Sequence, residues 1–222
     1  MKALTRREVL LRWGAVSAGA VSMGFAGVRL STLRRKLPAD AAGVGYGELV
    51  RDDENRIDLP RGFSYQLISQ VGETMDDGLV VPGSPDGMAA FAGPDGLTIL
   101  IRNHELNPDQ SQGPFGNRNR LFGKVDSRKV FDDGNLRTPG LGGTTTLVYD
   151  ILGRKLVRQY LSLAGTHRNC AGGPTPWGSW LTCEESVQRM GRGDRGQKFV
   201  AAVDHGWVFE VPASAEVGLV DP

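Results

Sequence analysis

Short runs of alternating apolar and polar residues follow one another along the chain from Phe63 onward. Successive side chains of a β-strand point to opposite faces of a sheet, so this alternation predicts strands buried on one face. No long amphipathic helix is predicted, and we expect an all-β fold. Seven runs of five to eight residues are predicted as strands, at 63–69, 97–101, 144–150, 155–162, 179–183, 199–203 and 207–211.

Turn signals separate these runs and define how neighbouring strands connect. Residues 151–154, Ile-Leu-Gly-Arg, form a compact turn, so 144–162 is predicted as an antiparallel hairpin. The segment 106–143 is rich in Gly, Asn and Asp and is predicted as a long insertion between strands. Connections of that length are usually functional or mobile.

Two stretches of the chain repeat one pattern, a Pro-x-Gly turn, then a strand, then a carboxylate. The first begins at Pro94 and ends at Glu105, and the second begins at Pro176 and ends at Glu185. Repeats of this size are typical of β-propeller blades, whose inner strands face a shared central channel. We therefore expect Glu105 and Glu185 to approach one axis from neighbouring blades. A β-sandwich with a chance similarity between the two stretches is the alternative.

The first residues of the chain have the composition of an export signal. Thr5-Arg6-Arg7-Glu8-Val9-Leu10-Leu11 precedes a Gly- and Ala-rich apolar stretch at 13–28, which is short and weakly hydrophobic for a membrane span. This resembles a twin-arginine signal, with a small-x-small cleavage site at 39–41. We expect a signal peptide at 1–41, a mature domain at 42–222, the twin-arginine translocation machinery as a partner, and a periplasmic or secreted protein without stable membrane insertion. A general secretory signal or an uncleaved anchor is the alternative.

Charge is distributed unevenly between this leader and the remainder of the chain. Residues 1–41 hold 8 of the 26 Lys and Arg residues and 2 of the 25 Asp and Glu residues. The remaining 18 basic and 23 acidic residues give the mature chain an acidic surplus. Such a surplus does not attract nucleic acid and suits a cation-binding protein better.

The common catalytic motifs are missing from the sequence. It contains no Walker-type glycine loop, no His-Glu-x-x-His, no Gly-x-Ser-x-Gly and no Cys-x-x-Cys. With three histidines in the whole chain, a His-rich metal site is not expected, and His104 is predicted to be a strand-end residue bonded to the backbone. Carboxylates and thiols remain as the candidate chemical groups.

The densest group of such residues lies between Leu161 and Glu185. The run from Asn169 reads Asn-Cys-Ala-Gly-Gly-Pro-Thr-Pro-Trp-Gly-Ser-Trp-Leu-Thr-Cys-Glu-Glu. Together with Pro-Asp-Gly-Met-Ala at 85–89 and Arg-Asn-His-Glu at 102–105, it resembles the PhoX family of bacterial alkaline phosphatases. The similarity runs from about residue 58 to the end of the chain.

The resemblance implies a β-propeller whose central site holds iron and calcium ions bridged through an oxo group and hydrolyses phosphate monoesters. It places the thiolate ligand of iron on Cys170 and carboxylate ligands on Glu105 and Glu185, with Glu184 as a further candidate. Carboxylates suit calcium and ferric iron, while one thiolate among oxygen ligands favours iron. Full members of the family are longer, so we expect this chain to be a fragment that corresponds to the N-terminal blades.

Three alternatives accompany this assignment. Two cysteines in an oxidising compartment often pair, so a disulfide between Cys170 and Cys183 is the alternative to a thiolate ligand. Arg102 and Arg168 are candidates for binding substrate phosphate, or they pair with the acids of the site. The alternative function is a truncated, non-catalytic exported β-domain that binds calcium or a partner.

The export signal can be tested directly. Replacing both arginines of the pair, Arg6→Lys and Arg7→Lys, should leave most of the protein in the cytoplasm, as fractionation and immunoblotting would show. Export at the wild-type level would contradict the twin-arginine assignment.

Overall fold

The computed structural model of the chain describes residues 45–191 and 200–222, so the predicted signal peptide at 1–41 lies outside the described residues. The chain divides into two units, at residues 1–65 and 66–222. The described part of the first unit contains one short antiparallel pair of strands, β1 (Leu49–Val50) and β2 (Leu59–Pro60). No helix in the described ranges has the length and apolar character needed to cross a membrane.

The second unit contains two antiparallel sheets whose strands are paired in chain order. The larger sheet has four strands, β3 (Pro85–Ala92), β4 (Thr98–His104), β5 (Gly142–Asp150) and β6 (Lys155–Thr166). The smaller sheet has three, β7 (Asn169–Pro174), β8 (Ser179–Glu184) and β9 (Val208–Pro212). The all-β prediction is thus confirmed. Within the described residues these sheets do not close into a barrel or a propeller ring.

Two clusters of buried side chains hold this unit together. Ile99 and Ile101 of β4 lie on one face of their strand and pack with side chains of the smaller sheet, Trp180, Phe209 and Val211. The other cluster draws on the connection between β4 and β5, which contributes Leu106, Phe115, Val130 and Leu141. The predicted insertion is therefore present, and it is packed into the core. Its local structure is a series of short 3-10 turns, at Asn117–Asn119, Phe122–Lys124, Ser127–Lys129 and Gly134–Leu136.

Most of the predicted strands are found at the predicted places. The hairpin of β5 and β6 is confirmed, as are the strands predicted at 97–101, 179–183 and 207–211. The prediction of a strand at 63–69 is wrong, because this segment pairs with no other strand. Its side chains make other contacts, such as the hydrogen bond from Ser69 Oγ to Gln159 Oε1 (2.9 Å). Residues 200–203 also form no strand, and Ala202 N donates instead to Asp132 Oδ2 (3.0 Å).

Two strands, β3 and β7, were not predicted, because proline and glycine interrupt their alternation. The glycines have a packing reason in both strands. A Cβ atom on Gly87 would lie 2.5 Å from the carbonyl oxygen of Cys170, and one on Gly172 would lie 2.3 Å from that of Leu181. Backbones approach closely at these points, so glycine is required inside each strand.

The outer edge of β6 is capped by two acidic side chains that precede β3. Asp76 Oδ2 accepts a hydrogen bond from Gln159 N (2.7 Å), and Asp77 Oδ2 accepts one from Leu161 N (2.7 Å). Asp77 Oδ1 also accepts from Leu79 N (2.9 Å), and burial raises the pKa of its carboxyl group. These carboxylates occupy N–H groups that an edge strand would otherwise offer to another chain.

Removal of one cap should weaken the fold measurably. Asp77→Ala leaves the N–H groups of Leu161 and Leu79 without their acceptor, and we expect a loss of about 1–3 kcal/mol in the free energy of unfolding. Urea denaturation would measure it. Asp109→Ala, at an exposed aspartate, is the control and should change stability by less than about 0.5 kcal/mol. Equal stability of the two variants would contradict the capping role.

Candidate functional site

The open ends of two hairpins meet in the second unit. In the β3–β4 hairpin Pro85 is opposite His104, and in the β7–β8 hairpin Asn169 is opposite Glu184. Glu105 and Glu185 directly follow the strands of these hairpins, and Arg168 directly precedes β7. Arg168 N donates to Leu106 O (3.0 Å), and Glu185 N donates to Arg168 O (3.0 Å). Backbone hydrogen bonds thus bring the two predicted acids to the same place.

Arg168 joins these two acids through one nitrogen atom. Its Nη2 lies 2.7 Å from Glu105 Oε1 and 2.5 Å from Glu185 Oε2. The hydrogen bond from Arg168 holds the pKa of Glu105 below its usual range, and the same bond raises the pKa of Arg168. The side chains remain partly open to solvent, with exposed fractions of 39% for Arg168, 28% for Glu105 and 51% for Glu185. Ligands from solution can therefore reach them.

Cys170 and Asp86 complete this group, which we call the Arg168 cluster (Asp86, Glu105, Arg168, Cys170 and Glu185). The side chains of Asp86 and Glu185 both interact with that of Glu105 and affect its pKa. Burial raises the pKa of the Cys170 thiol, and the charges of the three carboxylates raise it further. Both Cys170 and Cys183 are free thiols, so the structure does not contain the alternative disulfide.

Two of the six predicted site residues lie outside this cluster. Adjacent residues of a strand point to opposite faces, and Arg102 therefore points away from the side that carries Asn103. Its Nη2 donates to Ser69 Oγ (3.1 Å) and Thr145 Oγ1 (3.2 Å), and burial lowers the pKa of its guanidinium. His104 on the same face is bonded to Gly83 O through Nδ1 (2.8 Å), as the sequence predicted for a strand-end residue.

Glu184 is the other predicted site residue that the structure places elsewhere. Its carboxylate is fully buried and accepts four hydrogen bonds. Oε1 accepts from His167 N and His205 Nδ1 (both 2.7 Å), and Oε2 accepts from Gly206 N (2.7 Å) and Trp207 N (3.1 Å). A carboxylate with four partners has no free acceptor position for an ion in this arrangement.

A second, buried group surrounds Glu184, and we call it the His205 group (Asp132, His167, Glu184 and His205). His205 Nε2 lies 3.0 Å from Asp132 Oδ2, while Nδ1 bonds Glu184. The ring of His167 stacks on that of His205, with centroids 3.5 Å apart and planes inclined by 9°. Burial lowers the pKa of His205, but its bonds with Asp132 and Glu184 outweigh burial and raise the pKa to about 9. The pKa of His167 falls to about 4, first through burial and then through the charge of His205.

Donor atoms of Asp132, His167 and His205 all lie within 4.8 Å of one another, a spacing that could hold a metal ion. The ring geometry argues against shared ligation. An imidazole lone pair lies in the plane of its ring, and one ion cannot lie in the planes of two parallel rings 3.5 Å apart. Both nitrogens of His205 already face carboxylates. This group is better described as a charged imidazolium held between two buried acids.

Four side chains of these two groups were not predicted as site residues. Asp86 lies within the Pro-Asp-Gly-Met-Ala motif at 85–89, which was a usable signal. His167 also lies in the motif-rich stretch, three residues before Cys170. Asp132 and His205 come from separate connecting segments without a motif, so only the folded chain brings them together.

The fold and the Arg168 cluster together define an all-β protein with a partly exposed site of oxygen and sulfur donors. A family model described as alkaline phosphatase PhoX matches residues 44–149 and 143–220. The chain therefore belongs to the PhoX alkaline phosphatase family. A search of curated proteins and a search of solved structures each found no match.

The His205 group predicts a stability that depends on pH. The pKa of His205 is higher in the folded chain, about 9, than its ordinary 6.5, so the stabilisation is complete below pH 6.5 and is lost as pH rises through 9. We expect the free energy of unfolding to fall by about 3 kcal/mol over this interval, measured by urea denaturation at each pH.

His205→Gln should abolish that fall and cost about 3–5 kcal/mol at pH 6.5, because two buried carboxylates lose their cationic partner. His104→Gln is the matched control. Burial lowers the pKa of His104 to about 3, so its titration affects stability only below pH 6.5. If the free energy of unfolding of the His205 variant fell between pH 6.5 and 9 by as much as that of the wild type, the titration would not belong to His205.

Proposed function

We propose that this protein is a metal-dependent phosphatase that hydrolyses phosphate monoesters in the periplasm or outside the cell. The observation that carries the proposal is the convergence of Glu105, Cys170 and Glu185 on Arg168 in a member of this family. These three residues lie on separate strand ends, 15 to 80 positions apart in the sequence. Their convergence is expected if they share one ligand.

The donor set of the Arg168 cluster fits the proposed iron and calcium. Three carboxylates offer hard oxygen ligands, which suit calcium and ferric iron, and the single thiol favours iron at its position. Glu105, Cys170 and Glu185 would hold the ions, with Asp86 as an additional oxygen donor. When bound, the ions would neutralise the phosphate and activate a water molecule for attack.

The raised pKa of Cys170 bears on how this site would be loaded. Burial and then the surrounding carboxylates favour the protonated thiol, so the thiol must release its proton when it becomes a ligand. Arg168 supplies a counter-charge to Glu105 and Glu185 in the meantime. Its planar guanidinium has five N–H donors and would then be available to bind the oxygens of a phosphate ester.

A β-propeller fold for this chain is also part of the proposal. Two consecutive antiparallel sheets with strands in chain order, one of four strands and one of three, support this part of the proposal, because propeller blades are four-stranded antiparallel sheets. We infer that the described residues form N-terminal blades of a β-propeller. Twin-arginine export would deliver such a protein in folded form with its metals in place.

A second candidate function is a non-catalytic exported domain that binds calcium or a partner. The observation that favours it is the position of β9, which among the described strands pairs only with β8 and leaves one edge of the smaller sheet open. Open strand edges are sites for pairing with another chain. Phosphate release from p-nitrophenyl phosphate with iron and calcium present distinguishes a phosphatase from this binding domain.

The two cysteines provide a matched test of the proposed metal site. Cys170→Ala should remove most of the bound iron and lower phosphatase activity by at least about tenfold, since even partners of metal ligands contribute about 10–100-fold. Cys183→Ala should change neither quantity by more than about twofold, since only Cys170 lies among the carboxylates. Metal content by mass spectrometry and the rate with p-nitrophenyl phosphate would be measured together. Unchanged iron and activity in the Cys170 variant would refute the site.

A further inference from the structure

The side-chain amide of Asn103 connects the two sheets beneath the Arg168 cluster. Asn103 is fully buried on β4, two residues before Glu105. Its Nδ2 donates to Cys170 O (2.8 Å) and to Ala171 O (3.2 Å), and its Oδ1 accepts from Trp180 Nε1 (2.9 Å). One amide group thus contacts both strands of the β7–β8 hairpin.

The chemistry of these partners fixes the orientation of the amide. An indole N–H can only donate and a backbone carbonyl can only accept, so Oδ1 must face Trp180 and the amino group must face Cys170. Trp180 is itself buried in the core cluster of Ile99 and Leu163. The indole is held by packing, and it in turn holds the amide.

Cys170 needs this support because its own strand is irregular there. The ladder between β7 and β8 is interrupted between Asn169 and Gly172, which leaves Cys170 and Ala171 outside the regular pairing. Asn103 supplies the donors for their carbonyl groups. On β3 of the larger sheet, Gly87 leaves room for the Cys170 carbonyl, since a Cβ atom on Gly87 would lie 2.5 Å from the carbonyl oxygen. The position of Cys170 therefore depends on contacts with β3 and β4 more than on its own ladder.

We propose that Asn103, oriented by Trp180, is a positioning residue that holds the irregular segment at Cys170 so that the thiol faces Glu105 and Glu185. Glu105 is on the same strand, two residues away, so one strand sets the positions of both the carboxylate and the thiol. The importance of this contact for catalysis rests on the proposed function. The hydrogen bonds of Asn103 are present whether or not the protein is a phosphatase.

Asn103→Leu tests this role without adding charge. Leucine has nearly the same size but can neither donate to the carbonyls of Cys170 and Ala171 nor accept from Trp180. In metal-free wild-type and variant protein, the rates of iodoacetamide modification of Cys170 and Cys183 would be measured by peptide mass spectrometry. We expect the ratio of the Cys170 rate to the Cys183 rate to rise about tenfold, the factor that the loss of one or two net hydrogen bonds gives.

Gln159→Met is the matched control, because it also replaces a buried amide by an apolar side chain of similar size. Gln159 bonds Ser69 and lies on β6, away from Cys170. The control should leave the ratio unchanged. An unchanged ratio in the Asn103 variant, or an equal rise in both variants, would overturn the proposal.

Two tryptophan variants keep the proposal testable if Asn103→Leu does not fold. Trp180→Phe keeps a core aromatic ring and removes only the donor to Asn103, so the ratio should rise about threefold or more. Trp207→Phe removes an indole whose Nε1 donates to Asp204 O, and it should have no effect. An effect of Trp207→Phe equal to that of Trp180→Phe would overturn the proposal.

The outcome for Asn103 can be separated from that for the proposed function. Cysteine modification in metal-free protein reports the position of the thiol whether or not the wild type binds iron. If the wild type binds no iron and the ratio still rises, the proposed function fails and the positioning role stands. If the wild type binds iron and the ratio does not rise, the positioning role alone fails.

Discussion

The arrangement of the site depends on the two buried ion pairs that the imidazolium of His205 forms. The imidazolium lies between Asp132, from the long connection of β4 to β5, and Glu184, at the end of β8. Three segments far apart in sequence are thereby fixed at one point. Removing one partner of this buried network leaves an uncompensated charge and costs several kcal/mol, so a change in any one of the three segments disturbs the other two.

The contact between Glu184 and His205 determines the direction in which the next side chain, Glu185, points. Glu184 points inward to His205, and since adjacent residues alternate, Glu185 is directed to the side of Arg168. The same division holds at the end of β4, where Asn103 and His104 are buried and Glu105 is partly exposed. Each strand end thus has buried residues that anchor the backbone, followed by an acid that faces solvent. The exposed acids are placed by rigid strands even though they lie outside the ladders.

The sequence predicted the parts of this structure that have a local pattern. Strands with regular alternation, such as β5 and β6, were predicted with nearly correct bounds, whereas β3 and β7 were not, since their glycines serve close backbone approach. Glu105, Cys170 and Glu185 were identified through motifs, and the structure brings them together. Asp132 and His205 could not be identified, because the signal for a buried ion network is proximity, which depends on tertiary packing. For the same reason the sequence did not separate Glu184 from Glu185.

The His205 group and the Arg168 cluster differ in how far neighbouring cations and N–H donors offset the negative charges of their acids. In the His205 group the imidazolium offsets one of two acids, and three backbone N–H groups donate to the other, Glu184. In the Arg168 cluster a single guanidinium pairs with two of three carboxylates, Glu105 and Glu185, so a negative surplus remains at a place open to solvent. A surplus of this kind raises the local concentration of cations and favours the binding of one. These charges therefore support the proposal that a metal ion binds at the outer cluster, whereas the acids of the inner group already have their partners.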